Sequence, residues 1–194
     1  MSRLDDLRDE VEACRNCELY RDATQAVFSV GRASASLMLV GEQPGDREDL
    51  EGEPFVGPAG RVLAEALELA GIERSEVYLT NAVKHFRFET RGKRRIHQKP
   101  AASHVDACHP WLEGELEVVE PRVVVCLGAT AGRSVLGRTV RIREERGHVM
   151  EVDAPYAVLL TTHPSALLRL RDRGDYAAGL EDLAGDLRRA ADAA

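Results

Sequence analysis

The chain has 194 residues, 44% apolar and 30% charged, which suits one globular domain with a substantial core. No apolar run reaches the roughly 18–20 residues that a membrane span needs, and four cysteines are too few for a disulfide scaffold but enough for one four-ligand centre. The net charge of −7 argues, as an average, against a polyanionic partner.

Leu4, Leu7 and Val11 mark one face of a first helix, with Ser2 as its N-cap and Asp5 three residues on. This opening is acidic and amphipathic, unlike a secretory signal, so a cytoplasmic protein with reduced thiols is expected. The helix runs into Cys14-Arg-Asn-Cys17. Residues 36–42 (SLMLVGE) read as a buried strand stopped by a Gly/Pro turn, and 60–70 as an amphipathic helix closed by Gly71. The next strand is predicted at 76–83, a long helix at 101–119, and a third apolar strand at 122–127. A short helix is expected around 131–136, and 138–152 reads as a hairpin turning near Arg146-Gly147. The last core strand, 156–162, precedes His163-Pro164-Ser165, and 175–191 forms the closing helix.

Apolar strands alternating with helices imply an α/β fold: a single domain over 1–194, with a mostly parallel four-stranded central sheet and helices on both faces. Ligands of such sheets gather beyond the carboxyl ends of the strands. That puts Gly41-Glu42-Gln43-Pro44-Gly45, the residues after Asn81, Gly128-Ala-Thr130-Ala-Gly132 and His163-Pro164-Ser165 along one rim. The first of these lacks the Lys and Ser/Thr of a P-loop. The GATAG turn mimics a nucleophile elbow, but no base is evident for Thr130.

Charge is unevenly spread. Residues 84–99 hold seven Lys/Arg against Glu89, a net +6, so the remainder sums to −13. Residues 42–53 carry six acids and one Arg. Screening limits the reach of distant charges to about 10 Å, so a basic loop inserted in an acidic body can bind a polyanion; the alternative is a merely solvated loop.

GEQPG, then Pro54-Phe55-Val56-Gly57-Pro58-Ala59-Gly60, Leu79-Thr80-Asn81-Ala82-Val83-Lys84 and His163-Pro164-Ser165, in this order and strand context, resemble the iron–sulfur uracil-DNA glycosylases over nearly the whole chain. Gly92-Lys93-Arg94-Arg95-Ile96-His97 resembles the narrower UdgX-type branch, whose members excise uracil and then attach covalently to the abasic site through a loop histidine; Gln43 suits this branch. The resemblance implies that Phe55 stacks on a flipped uracil, Asn81 pairs with its edge, and the backbone of the loop containing Gly41 and Gln43 binds its carbonyls. It implies that His163 donates to the departing uracil, that Glu42 serves the cationic sugar or orients His97, and that Asp46 positions water or His97.

His97 would be the covalent nucleophile, with phosphate contact as the plainer alternative. Lys93, Arg94, Arg95, Arg169 and Ser165 are the expected DNA contacts, Arg94 and Arg95 also favouring the neutral ring. For the family's 4Fe–4S cluster the implied ligands are Cys14, Cys17, His85 and Cys108, with His109 as a substitute for His85 and zinc as a chemically equal occupant. Cys126, inside an apolar strand, is expected to be a packed bystander. The expected partner is uracil-containing DNA, single-stranded by preference, met by a monomer without a membrane. A turnover glycosylase and a non-catalytic uracil- or single-strand-binding module are the rival readings.

Overall fold

A computed structural model describes residues 2–171 and 174–194. Its strands are β1 (Leu37–Gly41), β2 (Val77–Asn81), β3 (Phe88–Arg91), β4 (Arg94–His97), β5 (Val123–Leu127), β6 (Val149–Glu151) and β7 (Ala157–Thr161). Five form one sheet in the order β2-β1-β5-β7-β6. The expected four core strands are mutually parallel, and β6 adds an antiparallel edge.

Successive side chains of a strand face opposite ways, and both faces here are apolar because both are covered. Leu37, Leu39, Leu79, Val125 and Leu159 pack on one side with Val62, Leu63 and Leu67 of α3 (Pro58–Ala70) and with Leu183 and Leu187 of the closing helix Tyr176–Ala193. Met38, Val40, Tyr78, Val124 and Leu160 pack on the other with Leu112 of the helix Ala102–Val119 and Ala131 of the helix Ala129–Leu136. Cys126 lies in this second layer, fully buried, as expected.

The first helix, α1 (Arg3–Glu12), begins with the predicted capping box between Ser2 and Asp5. An acidic helix that sequence pattern did not suggest, α2 (Asp46–Glu51), has Asp46, Glu48 and Asp49 in its first turn, where the helix dipole favours negative charge. Taking Ala102–Val119 as α4 and Ala129–Leu136 as α5, a single turn α6 (Ile142–Glu145), the short α7 (Pro164–Leu168) and α8 (Tyr176–Ala193) complete the chain.

Two expectations are corrected. Residues 138–152 are not a hairpin. Arg138 pairs with Glu145 at 2.7 Å and the Arg141 N–H reaches the same carboxylate at 2.6 Å, coiling this stretch into α6 and leaving a short strand to pair with β7. The basic segment is no open loop but a two-stranded antiparallel hairpin, β3–β4, with Phe88 opposite His97 and its tip at Gly92 (φ +62) and Lys93. Among the described residues no helix is long and apolar enough to cross a membrane.

Candidate active site

The carboxyl ends of β1, β2, β5 and β7 open into a cleft of about 910 Å³, into which Glu42, Phe55, Asn81, Thr130, His163 and, from the hairpin, His97 all face. The rim drawn from the strand pattern is therefore formed, with β4 added to it.

Phe55 is buried yet adopts φ +58, a backbone region costly for a bulky residue that persists only where the surroundings enforce it. Its surroundings hold it there. The Arg74 guanidinium donates to the carbonyls of Pro54 and Phe55 at 3.2 and 3.3 Å. A Cβ at Gly60 would fall 1.9 Å from the Phe55 carbonyl oxygen, and one at Gly41 would fall 2.3 Å from Asn81 Oδ1 and 2.7 Å from Phe55 Cζ. Only glycine lets these segments approach so closely. The buried Glu48 carboxylate accepts the N–H groups of Gly45 at 3.1 Å and Gly57 at 2.9 Å, joining the 41–45 loop to the Phe55 loop. Neither Glu48 nor Arg74 had a place in the motif reading, because the contacts that hold the Phe55 loop, Glu48 to Gly57 and Arg74 to Pro54 and Phe55, span 9 to 20 residues and end on backbone groups.

Asn81 ends β2 with only 2% of its surface exposed. Behind it, Lys84 is wholly buried; its ammonium donates to the Asn81 carbonyl at 3.0 Å, to Thr80 Oγ1 at 2.6 Å and to Glu115 at 2.5 Å. A buried charge is tolerated when paired and fully hydrogen-bonded, and this one stiffens the strand end carrying Asn81.

His163 caps α7. Its Nδ1 accepts the Ser165 N–H at 3.1 Å and lies 2.8 Å from Ser165 Oγ, so the proton of the neutral ring belongs on Nε2. Burial pushes the ring down to about 4, against the pull of Glu42 and with help from His97 and Arg169. Near neutral pH the cleft therefore presents an uncharged imidazole N–H donor. Ser165, expected at DNA, spends its hydroxyl and N–H on this histidine.

Glu42 lies between two partners: one carboxylate oxygen accepts the Thr130 hydroxyl, and the other is 3.5 Å from His97 Nε2. His97 itself is half exposed at the end of β4. The hairpin that carries it is held by polar contacts. The Gln43 amide donates to the carbonyls of Arg87 (3.2 Å) and Gln98 (3.0 Å) and accepts the Arg87 N–H (3.2 Å), so only the backbone of Gln43 is left for a bound base. Arg95 donates to Asp46 at 2.6 Å, to the fully buried Asp49 at 2.5 Å and to Thr24 at 3.2 Å, and lies over the Phe86 and Phe88 rings.

Arg95 thus serves as an internal strut that ties the hairpin to α2, and Asp46, half exposed on the cleft, accepts from it. With Lys84 buried against Glu115 and Arg95 spent on acids, the hairpin's outward charge falls from +6 to +4, carried by Arg87, Arg91, Lys93, Arg94 and Lys99 against Glu89. Arg94 and Lys93 are exposed, and Arg169 lines the cleft.

Away from the cleft, Cys17 and Cys108 face each other in a small cluster with Leu19, Val83 and Trp111. The hydrogen bond shared by Cys17 and Cys108 holds the Cys17 thiol down to about 6 and, together with burial, pushes the Cys108 thiol up, so one thiolate of the pair is favoured. The Trp111 indole N–H donates to Cys14 Sγ at 3.3 Å, and burial and the Arg15 charge push the buried His85 ring below its ordinary value. Among the described residues no three His, Cys, Asp or Glu side chains converge closely enough to hold a metal ion. The donor chemistry of Cys14, Cys17, Cys108 and His85 nevertheless suits a soft, thiolate-rich centre. His109 is partly exposed, with Nε2 3.3 Å from Glu113. His104 is also committed, accepting the Ala101 N–H and pairing with Glu18.

Comparison with known proteins agrees with this geometry. A family model described as the uracil DNA glycosylase superfamily matches residues 28–184. A Type-4 uracil-DNA glycosylase of Archaeoglobus fulgidus is 36% identical over 175 residues, covering 87% of this chain and 84% of its own. One from Thermotoga maritima is 36% identical over 176 residues, covering 90% and 88%. A Type-5 uracil-DNA glycosylase of Pyrobaculum aerophilum is 33% identical over 210 residues, covering 97% and 85%. A matched span that runs from the strand before the first rim loop to the closing helix, together with four rim motifs in one cleft, means that this chain belongs to the uracil-DNA glycosylase superfamily.

Proposed function

We propose that this protein excises uracil from DNA and that His97 then bonds to C1′ of the abasic sugar, as in the UdgX-type branch. The observation that carries the reading is His97 facing Glu42 at 3.5 Å over the cleft, on a hairpin clamped there by Gln43 and Arg95.

In this reading a flipped uracil enters the cleft, stacks on Phe55 and pairs with Asn81 and the backbone of the 41–45 loop. The C1′–N1 bond breaks and uracil departs with the electron pair, stabilised by the preorganised Nε2–H of neutral His163. The sugar is left cationic beside the Glu42 carboxylate. A ring nitrogen lone pair of His97 closes on C1′, and the proton on the opposite ring nitrogen leaves to water while uracilate takes one from water. A tethered nucleophile outcompetes bulk water because its effective concentration is orders of magnitude higher.

Lys93, Arg94 and Arg169 meet the phosphates, and single-stranded DNA is preferred because no base pair has to be broken. Cys14, Cys17, Cys108 and His85 would hold a 4Fe–4S cluster, which contributes cross-linking of α1, the segment before the hairpin and α4 rather than a reacting atom. Visible absorption of the purified protein, lost in Cys17→Ser, supports iron; a colourless, zinc-loaded protein contradicts it.

The test of the main reading is a denaturing gel after incubation with a uracil-containing oligonucleotide. A heat-stable shifted band, absent in His97→Ser while the uracil pocket persists, supports covalent capture. Abasic product without a shifted band supports the turnover reading, which the half-exposed position of His97 also allows. Tight binding without uracil release supports the non-catalytic module.

A further inference from the structure

Thr130 is the residue that motif reading left without a role, because no partner for its hydroxyl is evident in the sequence. The fold supplies one, the carboxylate of Glu42. Thr130 is the second residue of α5, 6% exposed, and its hydroxyl donates to Glu42 Oε2. The same carboxylate turns Oε1 toward His97 Nε2, 3.5 Å away. The turn that delivers Thr130 also walls the cleft: Gly128 has φ +93, and a Cβ on it would come within 3.0 Å of the His163 side chain. The terminal torsion of a glutamate is broad and nearly two-fold, so an unanchored carboxylate would sample many orientations. A charge-assisted bond to one oxygen removes that freedom and directs the other.

We propose that Thr130 is a positioning residue, whose hydroxyl fixes the Glu42 carboxylate so that its second oxygen orients His97 toward C1′. It thereby sets how much abasic sugar is captured by the protein and how much by water. Capture forms a C1′–N bond with loss of the opposite ring proton to water; hydrolysis forms a C1′–O bond with loss of a water proton to solvent. Both start from the same broken C1′–N1 bond, so orientation of His97 decides between them. The inference rests on the covalent reading above.

The experiment is a single-turnover reaction of the intact protein on a uracil-containing single-stranded oligonucleotide. Wild type, Thr130→Val, Thr130→Ala and Thr130→Ser are compared, each with its thermal unfolding recorded. One denaturing gel gives both products, the covalent band and the alkali-cleavable free strand. Thr130→Val and Thr130→Ala are expected to shift the ratio toward free strand by about tenfold, the size of effect that losing one hydrogen bond to a charged group produces. Thr130→Ser, which keeps the hydroxyl, is expected within about twofold of wild type on that same scale. If Thr130→Val does not fold, the Ala/Ser pair carries the test. A ratio unchanged in the folded hydroxyl-less variants, or a Thr130→Ser no better than Thr130→Ala, overturns the proposal. A wild-type lane with free abasic strand and no covalent band overturns the covalent reading instead, and the two failures are told apart on one gel.

Discussion

The strand-end cleft and the β3–β4 hairpin are built in different ways. The cleft stands on four parallel strands packed on both faces, and Phe55, Asn81 and His163 are locked by close glycine contacts, a buried Glu48 bridge and a capped helix start. The hairpin has two strands of four residues, mostly exposed, tied to the body by the Gln43 amide and the Arg95–Asp46–Asp49 contacts. Two strands alone are marginal in water, so those ties decide where His97 sits. Damage to the scaffold should therefore cost every step, whereas damage to the ties should separate uracil release from covalent capture.

The largest expected effect breaks the scaffold side. Gly60→Ala would set a methyl group 1.9 Å from the Phe55 carbonyl oxygen and displace the Phe55 ring. Uracil release and adduct should both fall by about 100-fold, since misplacing a positioned group by about 1 Å has that order of cost. Single-turnover release of uracil, with melting curves to verify folding, measures it.

Arg95→Met should split the two outcomes. It leaves the fully buried Asp49 carboxylate with the Thr24 N–H but without the guanidinium, a loss of up to about 3–5 kcal/mol when a buried pair loses one partner. The hairpin loosens, and covalent yield should drop by at least about tenfold while uracil release changes by less than about threefold, the energy being lost outside the uracil pocket. Gln43→Ala should act in the same direction more weakly, about fivefold on adduct, as expected for neutral hydrogen bonds of about 1 kcal/mol each. Equal losses of release and adduct in either variant would contradict the division of labour.

Acidity probes the scaffold again. His163 is depressed to about 4 from an ordinary 6.5, so its Nε2–H donor state persists from pH 8 down to about 4, and this residue places no acid limb on uracil release near pH 6.5. The sign for stability is the reverse. Between 6.5 and about 4 the unfolded chain binds the proton that folded His163 refuses, so this residue's contribution to stability falls as pH falls through that window. Release measured from pH 5 to 8 beside urea midpoints tests both halves. The smallest effect belongs to the exposed tip: Lys93→Ala or Arg94→Ala should lower the slope of log affinity against log salt by about 0.7 for a single strand, without changing the product ratio.

How much of this was visible in the chain follows from which partners are local. The four core strands and the rim are legible because burial on both faces leaves continuous apolar runs ending at Gly41, Asn81, Leu127 and Thr161. The Ser2–Asp5 cap is legible because both halves lie three residues apart. Glu48 and Asp49 counted only as members of an acidic block, yet they accept backbone N–H groups of Gly57 and Thr24, which no local pattern reveals. Lys84 and Arg95 counted as free loop charge for the same reason; their acids are 31 and 46 residues away for Glu115 and Asp49. Thr130 lacked an evident partner in sequence because the carboxylate it donates to follows another strand end, 88 residues away.

The central claim is that His97 is the atom donor that captures the sugar. Peptide mass mapping of the heat-stable product formed on a short uracil-containing oligonucleotide tests it most directly. The account predicts a deoxyribose-linked mass on the peptide that contains His97 and on no other. An adduct on a different residue, or uracil release with every peptide unmodified, would contradict it.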